Sequence, residues 1–215
     1  MIKKNKWKII FTSVIILLPV LAGLILWNKL PDTVPTHWGA SGEVDGYSNK
    51  AFAVLGIPLV MLVIHWICIF VSMLDPKHRN VEGKPLGVVL WICPLMSLLC
   101  GFLILSAALG YDFSVEIIMP IIIGILFIVI GNYLPKCRHN YTIGIKLPWT
   151  LNDEENWNHT HRFAGPVWVI GGIMLMALSL VPSNVVFILL MVVVILMVSI
   201  PTIYSYVYYR RHNKS

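Results

Sequence analysis

The chain has 215 residues, of which 58% are hydrophobic and only 12% are charged, and its mean hydropathy is +0.80. Soluble domains are roughly half apolar and about a quarter charged, so this composition excludes an ordinary water-soluble fold. The apolar residues are concentrated in blocks long enough to cross a bilayer, for which about 20 residues suffice. The sequence therefore predicts an all-α integral membrane protein with a bundle of about six transmembrane helices.

The positive charge is distributed unevenly over this six-span arrangement. Of the 16 Lys and Arg residues, only Lys29 and Lys50 fall on one side of the predicted membrane, and all the others fall on the opposite side. Because Lys and Arg accumulate in cytoplasmic loops, we expect both termini in the cytoplasm. The net charge of +6 then follows from topology, with some attraction to anionic lipid, and direct nucleic-acid binding is not expected.

The first apolar run extends from Ile9 to Trp27. It is longer than the apolar core of a signal peptide, about 7–15 residues, so we interpret it as a retained span that Pro19 kinks. The second run, Ala51–Leu74, contains His65 near its middle. Ionisable residues at that depth are costly and usually face the bundle interior. His65 is therefore a candidate proton or ligand site, or else a neutral imidazole hydrogen-bonded to a neighbouring helix.

The loop Asn28–Lys50 lies between these spans, and the charge distribution predicts that it faces outward. Its prolines favour an extended chain, while Gly39, Gly42 and the Asp45-Gly46 pair signal turns. The loop is too short for a core of its own, so we expect it to fold onto the helix ends. Its candidate contacts with a ligand are His37, Trp38, Asp45 and Tyr47. The alternative is that these side chains satisfy the loop's own backbone and anchor it among the lipid headgroups.

The later spans complete two halves, residues 1–109 and 110–215. A solvated basic connector, Asp75–Pro85, leads into the third span, and the small residues of the fifth span, Gly165, Gly171 and Gly172, predict close helix approach. The predicted spans are Leu86–Leu109, Val115–Tyr133, Ala164–Val181 and Val185–Tyr206. Each half consists of a span, a long polar loop and two further spans, a layout that would make the halves an inverted repeat of the kind found in many transporters.

A second long polar segment, Asn140–His161, lies within the cytoplasmic loop 134–163. Gly144 permits a turn or a close backbone approach, and Thr150 is placed to cap a short interfacial helix that starts at about Leu151. Further along this helix, Trp157, His161 and Ala164 share one face by their spacing.

Two motifs resemble one known family. The first is Asn140-Tyr141-x-x-Gly144-Ile145-Lys146-x-Pro148-Trp149-Thr150-Leu151, followed by Trp157 and Thr160-His161. It looks like the signature of the SdpI-type immunity proteins, although Lys146 stands where that family usually has Arg. The second is Leu30-Pro31-x-x-Val34-Pro35-x-His37-Trp38. It is similar to a domain of unknown function, of the DUF1648 type, often found at the N-terminus of such proteins.

The resemblance implies a multi-pass protein of the bacterial plasma membrane that protects its cell against a secreted toxic peptide. It also implies a signalling receptor that holds a soluble transcriptional repressor at the membrane. The toxin would approach from the outer side and the repressor from the cytoplasmic side. The motif residues that could bind a partner there are Asn140, Tyr141, Gly144, Lys146, Pro148, Trp149, Thr150, Trp157, Thr160 and His161. The alternative is that the motif braces the helices and binds nothing.

Other function classes have less support in the residues. A small transporter or exporter is the second hypothesis, because of the repeated layout and His65. An enzyme is not expected, since no Gly-x-Ser-x-Gly, His-Glu-x-x-His or Walker sequence occurs. The four cysteines form no Cys-x-x-Cys pair, so neither a zinc site nor a disulfide framework is indicated, and we expect no cofactor.

Overall fold

The computed structural model describes residues 2–181 and 183–212. In these residues, six helical segments are long and apolar enough to cross a membrane: Lys3–Ile25, Phe52–Leu74, Lys84–Ala108, Val115–Lys136, Glu154–Leu180 and Val185–His212. The prediction of six helical spans is confirmed. The fifth helix begins ten residues before the predicted start at Ala164, because Asp153 caps it as described below.

The chain divides into two compact units. The first comprises Met1–Leu74 and Glu82–Phe113, and the second comprises Asp75–Val81 and Ser114–Ser215. The elements of the first unit are α1 (Ile2–Ile16), α2 (Leu18–Ile25), β1 (Thr33–Trp38), β2 (Val44–Asn49), α3 (Ile57–Leu74) and, after α4, α5 (Lys84–Ala108). The elements of the second are α4 (His78–Val81), α6 (Val115–Tyr133), α7 (Pro148–Asn152), α8 (Glu154–Ala177) and α9 (Ser183–His212).

The first span is interrupted between α1 and α2, just before Pro19. Proline has no backbone N–H and clashes with the preceding turn, and here Val20 N–H bonds to the Leu17 carbonyl instead of that of Ile16. The Ile16 carbonyl accepts a hydrogen bond of 2.8 Å from Ser97 Oγ on α5. The sequence predicted a kink at Pro19, and the structure has this break two residues before it, with a neighbouring helix satisfying the carbonyl that the break releases.

The loop Asn28–Lys50 contains an antiparallel hairpin formed by β1 and β2, which the prediction of an all-α fold did not include. Its underside packs on the helices, since buried Val34 contacts Ala53 and Ile104, as expected for a loop without its own core. The strands are joined at Gly39–Gly42, where Gly42 has φ 81°. The predicted turn at Asp45-Gly46 is wrong: both residues lie within β2, where Gly46 faces His37 at an irregular register.

Glycines bring the helices of the second unit close together. A Cβ atom at Gly172 of α8 would lie 2.6 Å from the Gly124 carbonyl oxygen of α6, and one at Gly165 would lie 3.0 Å from that of Gly131. Gly171 faces the Met197 side chain of α9. The predicted close approach at the three glycines of the fifth span is confirmed, because an added Cβ at each would lie within 3.0 Å of an atom of a neighbouring segment.

Candidate functional site

The motif loop, residues 134–163, is organised first by the side chain of Asn140. Its Nδ2 donates to the carbonyls of Arg138 and Ile143 at 2.8 and 3.0 Å. Its Oδ1 accepts from the backbone N–H groups of Thr142 and Ile143 at 2.8 and 2.7 Å. Asn140 is buried, and all four bonds go to backbone groups. A buried amide with its hydrogen bonds satisfied can fix a turn in a segment that has no regular secondary structure.

A stack of rings closes over Gly144. Trp157 and His161, one helical turn apart on α8, stack with their centroids 4.0 Å apart. His161 Nδ1–H donates to the Trp157 carbonyl at 2.7 Å, and its Nε2 accepts from Ile145 N–H at 2.9 Å. Gly144 has φ 128°, and a Cβ atom there would meet the His161 ring and lie 2.8 Å from Trp157 Cη2. The motif therefore needs glycine for both its conformation and its space.

The same stack is tied to the end of the fourth span. Trp157 is fully buried, and its Nε1–H donates to the Cys137 carbonyl at 2.9 Å. The His139 ring also lies against Trp157, tilted by 48° with the ring centroids 5.1 Å apart. The predicted face of Trp157, His161 and Ala164 is buried as a unit, as their helical spacing required.

The predicted helix cap at Thr150 is wrong. Thr150 lies inside α7, where its hydroxyl accepts from Leu147 N–H at 2.9 Å and lies 2.8 Å from the Ile145 carbonyl. Asp153 caps α8 instead, because its Oδ1 accepts from Glu155 N–H and Asn156 N–H. Pro148 starts α7 after an extended Leu147, so the segment forms two helices rather than one.

A chain of hydrogen bonds joins the motif loop to α9. Trp149 Nε1–H donates to Ser205 Oγ at 2.8 Å, and Ser205 Oγ in turn donates to Asn156 Oδ1 at 2.8 Å. Asn156 Nδ2 returns to the Ser205 carbonyl at 3.1 Å, and Thr160 Oγ1 donates to the same amide oxygen at 2.9 Å. Asn156, Thr160 and Ser205 are fully buried, so Thr160 serves an internal network.

The connector Asp75–Val81 docks on the motif loop, contrary to the prediction of a solvated segment. Asp75 Oδ2 accepts from Tyr141 N–H at 2.8 Å and from Thr142 Oγ1 at 2.7 Å, and Oδ1 accepts from Lys77 N–H at 2.7 Å. Burial by itself raises the pKa of Asp75, but the bonds from Thr142, Lys77 and Tyr141 outweigh it and leave the pKa below its ordinary value. The carboxylate is held ionised as a structural acceptor.

His139 completes this junction. Lys77 Nζ donates to its Nδ1 at 2.7 Å, and its Nε2 lies 3.0 Å from the Leu151 carbonyl. A lysine ammonium can only donate and a carbonyl can only accept, so His139 carries its proton on Nε2. Asn80 Nδ2 donates to the His139 carbonyl at 2.7 Å. The two ring nitrogens and the backbone carbonyl of His139 therefore hold the connector and α7 together.

Only part of the predicted motif is accessible. Lys146, Pro148 and Tyr141 are exposed, and Trp149 is half-buried. The Lys146 ammonium makes no hydrogen bond or ion pair with the described residues. Asn140, Thr150, Trp157, Thr160 and His161 are buried. The motif thus consists of a buried frame and an exposed rim.

The predicted contacts of the hairpin form a separate group in the first unit. The His37 and Asp45 side chains are 71% and 53% exposed and are joined by a hydrogen bond between His37 Nδ1 and Asp45 Oδ1. Tyr47 is 64% exposed. Trp38 is half-buried, with its ring centroid 6.5 Å from that of Phe113. Three of the four residues therefore lie on an accessible surface.

His65 lies buried inside the first unit. Its Nε2 is 3.1 Å from Thr12 Oγ1 on α1, which is the bond to a neighbouring helix that the structural alternative required. Its Nδ1 is buried without a partner among the described residues.

Sequence reasoning missed several members of the frame: Asp75, Lys77, Asn80, His139, Asn156 and Ser205. Polar residues directly beyond a span, such as Asp75, and inside one, such as Ser205, are the signals that could have drawn attention to them. Their partners are separated from them by 49 to 67 positions in the sequence, and spacing does not reveal such pairs.

Comparison with known proteins identifies the same two regions. Residues 136–205 match the model of the SdpI/YfhL protein family, and residues 14–62 match the domain of unknown function DUF1648. The chain is 29% identical to the Immunity protein SdpI of Bacillus subtilis (strain 168), with 99% of each chain covered. No solved structure matches. Residues 14–62 thus carry the DUF1648 segment and residues 136–205 the SdpI/YfhL segment of a multi-pass bacterial membrane protein, and its resemblance to the SdpI-type immunity proteins is confirmed.

Proposed function

We propose that this chain is a membrane immunity protein that protects its cell against a secreted toxic peptide. The observation that carries the proposal is its similarity to an immunity protein over 99% of both chains. The DUF1648 segment includes the exposed hairpin, and the SdpI/YfhL segment includes the motif loop except its first two residues. The proposed role is binding of the peptide and not an enzymatic reaction, in keeping with the printed name of the relative as an immunity protein.

The distribution of Lys and Arg supports an orientation for this role. Both termini and the motif loop face the cytoplasm, where these residues accumulate, and the hairpin faces outward. The toxic peptide then meets the hairpin, where His37, Asp45 and Tyr47 provide exposed polar and aromatic contacts. Aromatic side chains with a polar tip are well suited to binding at a wet interface.

The cytoplasmic part of the proposal is capture of a soluble repressor by the motif loop. The contact surface is its exposed rim, Tyr141, Lys146 and Pro148, while the buried frame holds that rim in shape. A repressor would therefore be crosslinked efficiently from Tyr141 or Lys146 and not from Trp157, which is fully buried. Crosslinking from all three positions, with and without toxin, tests this part separately.

The main test is survival of toxin-sensitive bacteria that express the chain. The toxin is the peptide against which the Bacillus subtilis immunity protein protects. We expect wild-type chain to restore growth, Tyr47→Ala with His37→Ala to reduce protection, and Lys29→Gln to leave it unchanged. Unchanged killing despite normal membrane expression would contradict immunity to that toxin.

A second candidate function, a small transporter, is supported by the Nδ1 of buried His65, which has no hydrogen-bond partner among the described residues. It requires substrate-dependent flux in proteoliposomes that His65→Ala abolishes while the protein remains folded. If proteoliposomes show no flux with the toxic peptide or protons as cargo, this candidate loses its support.

A further inference from the structure

A polar cleft of about 350 Å³ opens at the start of the membrane-spanning part of α8, lined by Pro135, Cys137, Asn158, His161 and Arg162. Ligand pockets occupy about 300–1,000 Å³, so the volume suits a small headgroup. Asn158 and Arg162 are one helical turn apart and therefore share a face of α8. Both are exposed, and neither side chain bonds to a described residue.

The charged residue that lines this cleft, Arg162, and those that adjoin its lining residues in the chain are all basic, while Glu154, one helical turn before Asn158, lies outside the lining. Lys136 and Arg138 adjoin its lining residues in the chain and are exposed, and none of the lining residues is acidic. Burial raises the pKa of the Cys137 thiol, which keeps it neutral at neutral pH. His161 uses both ring nitrogens internally, so it contributes a wall and not a charge. Arg162 and Asn158 are the available donors.

The depth of the cleft relative to a bilayer follows from helix geometry. The uncharged run from Phe163 to Leu180 is about 27 Å long at ~1.5 Å per residue, close to the ~30 Å hydrocarbon thickness of a bilayer. Arg162 thus lies just outside the hydrocarbon. Pro135 packs on Gly165, where an added Cβ would lie 2.5 Å from Pro135 Cγ. Because Lys136 follows Pro135 directly, this contact holds Lys136 at about the same depth in the bilayer as Arg162.

We propose that this cleft binds the phosphate of an anionic phospholipid, with the Arg162 guanidinium and the Asn158 amide as donors and Lys136 and Arg138 flanking it. A guanidinium presents parallel N–H groups that match two phosphate oxygens. Soluble phosphate offers the same chemistry, but the position at headgroup depth favours lipid. The inference requires membrane insertion and is independent of the immunity role.

The test measures lipid retained by the purified full-length protein in native mass spectrometry, with phosphatidylglycerol or phosphatidylcholine added. We expect wild-type protein to retain phosphatidylglycerol preferentially and Arg162→Gln to lose about tenfold or more of that retention, as for loss of a charge-assisted bond. Arg79→Gln is the matched control, because it removes an exposed guanidinium that does not line the cleft.

A second variant, Asn158→Asp, adds a carboxylate to the cleft and should also abolish the preference while Arg162 is intact. Equal unfolding temperatures in mixed micelles of detergent and phosphatidylcholine will verify that both variants are folded. Wild-type retention by Arg162→Gln and Asn158→Asp would overturn the proposal. Displacement of phosphatidylglycerol by millimolar inorganic phosphate alone would likewise overturn it and assign the cleft to a soluble anion.

Discussion

Gly144 combines a backbone conformation and a close contact that other residues do not tolerate together. Its φ of 128° is one that L side chains rarely adopt, and the rings of Trp157 and His161 occupy the space where a Cβ would stand. The glycine of the Gly-Ile-Lys sequence therefore fixes the distance between the loop backbone and α8.

We predict that Gly144→Ala lowers the free energy of unfolding by about 2–6 kcal/mol, since backbone strain and overpacking each cost about 1–3 kcal/mol. Chemical unfolding in mixed micelles measures this loss. The control is Gly83→Ala, because Gly83 also has positive φ, 91°, but an added Cβ there meets nothing within 4 Å. If the two variants lose equal stability, the contact with the rings is not responsible.

Asp75 makes the stability of the motif loop depend on pH in the acidic range. Its pKa lies below the ordinary 3.8 in the folded protein, so the unfolded chain binds a proton more readily than the folded one. The stability that the carboxylate contributes is present above the unfolded pKa and is lost as pH falls through the folded pKa. We predict that unfolding free energy declines below about pH 4.

Asp75→Asn should remove this component of the decline and lower stability at pH 7, by about 1.5–3 kcal/mol for loss of a hydrogen-bonded charge. The amide also turns an N–H toward groups that are themselves donors. Unfolding from pH 3 to pH 7 measures both effects. Asp32→Asn is the control, since that carboxylate is 96% exposed; equal pH profiles for the two variants would refute the assignment.

At the scale of single residues, sequence alone predicted the helical face of Trp157 and His161 and the close approach at Gly144. Both follow from local rules, the 3.6-residue helical period and the freedom of glycine. The bond between Asp75 and Tyr141 was out of reach, because partners 66 residues apart are brought together only by the packing of the helices between them.

At the scale of elements, Ser205 connects α9 to the motif loop and to α8. It accepts from Trp149 Nε1–H and donates to Asn156 Oδ1, so a single hydroxyl on α9 joins α7 and α8. Removal of that hydroxyl leaves the N–H of half-buried Trp149 without its acceptor and the amide oxygen of buried Asn156 with one donor fewer.

We predict that Ser205→Ala costs about 1–3 kcal/mol of unfolding free energy, and that a double-mutant cycle with Trp149→Phe gives a coupling energy of about 0.5–3 kcal/mol. Thr202→Val serves as the control, because the Thr202 hydroxyl bonds only to Val198 of its own helix. Additive losses for Ser205→Ala and Trp149→Phe would show that the bond between them carries no stability.

Among the elements, the hairpin and the helix start were the points where prediction failed. Pro35 was correctly interpreted as extended chain, and Gly39 and Gly42 as a turn. The turn expected at Asp45-Gly46 is strand instead, because local signals do not specify which segments pair. Two residues three positions apart, Thr150 and Asp153, both have side chains that can cap a helix. Asp153 is the residue that caps α8, because the Thr150 hydroxyl is hydrogen-bonded to the Leu147 N–H and the Ile145 carbonyl.

At the scale of the whole molecule, the six spans could be predicted because hydrocarbon forces the backbone to satisfy its hydrogen bonds within helices. The fourth was predicted from Val115 to Tyr133, as observed. The fifth was predicted too short, since its polar first turns extend beyond the apolar run from which spans are recognised.

The orientation proposed above leads to a labelling prediction. A membrane-impermeant maleimide should modify Ser41→Cys at the hairpin tip in intact cells, and Lys146→Cys only after permeabilisation, because both positions are exposed and the proposed orientation assigns them to opposite sides of the membrane. The wild-type chain, whose cysteines are all free, provides the background. Labelling of Lys146→Cys in intact cells would reverse the orientation.

The docking of Asp75 on Tyr141 and Thr142 also bears on how the protein is made. Ribosomes add about 5–20 residues per second, and 66 positions separate Asp75 from Tyr141. The interval between the synthesis of Asp75 and that of Tyr141 is therefore roughly 3–13 seconds. During that interval two further spans must enter the membrane. A nascent chain stalled before Tyr141 should thus expose the Asp75 connector to protease, and release of the stall should protect it.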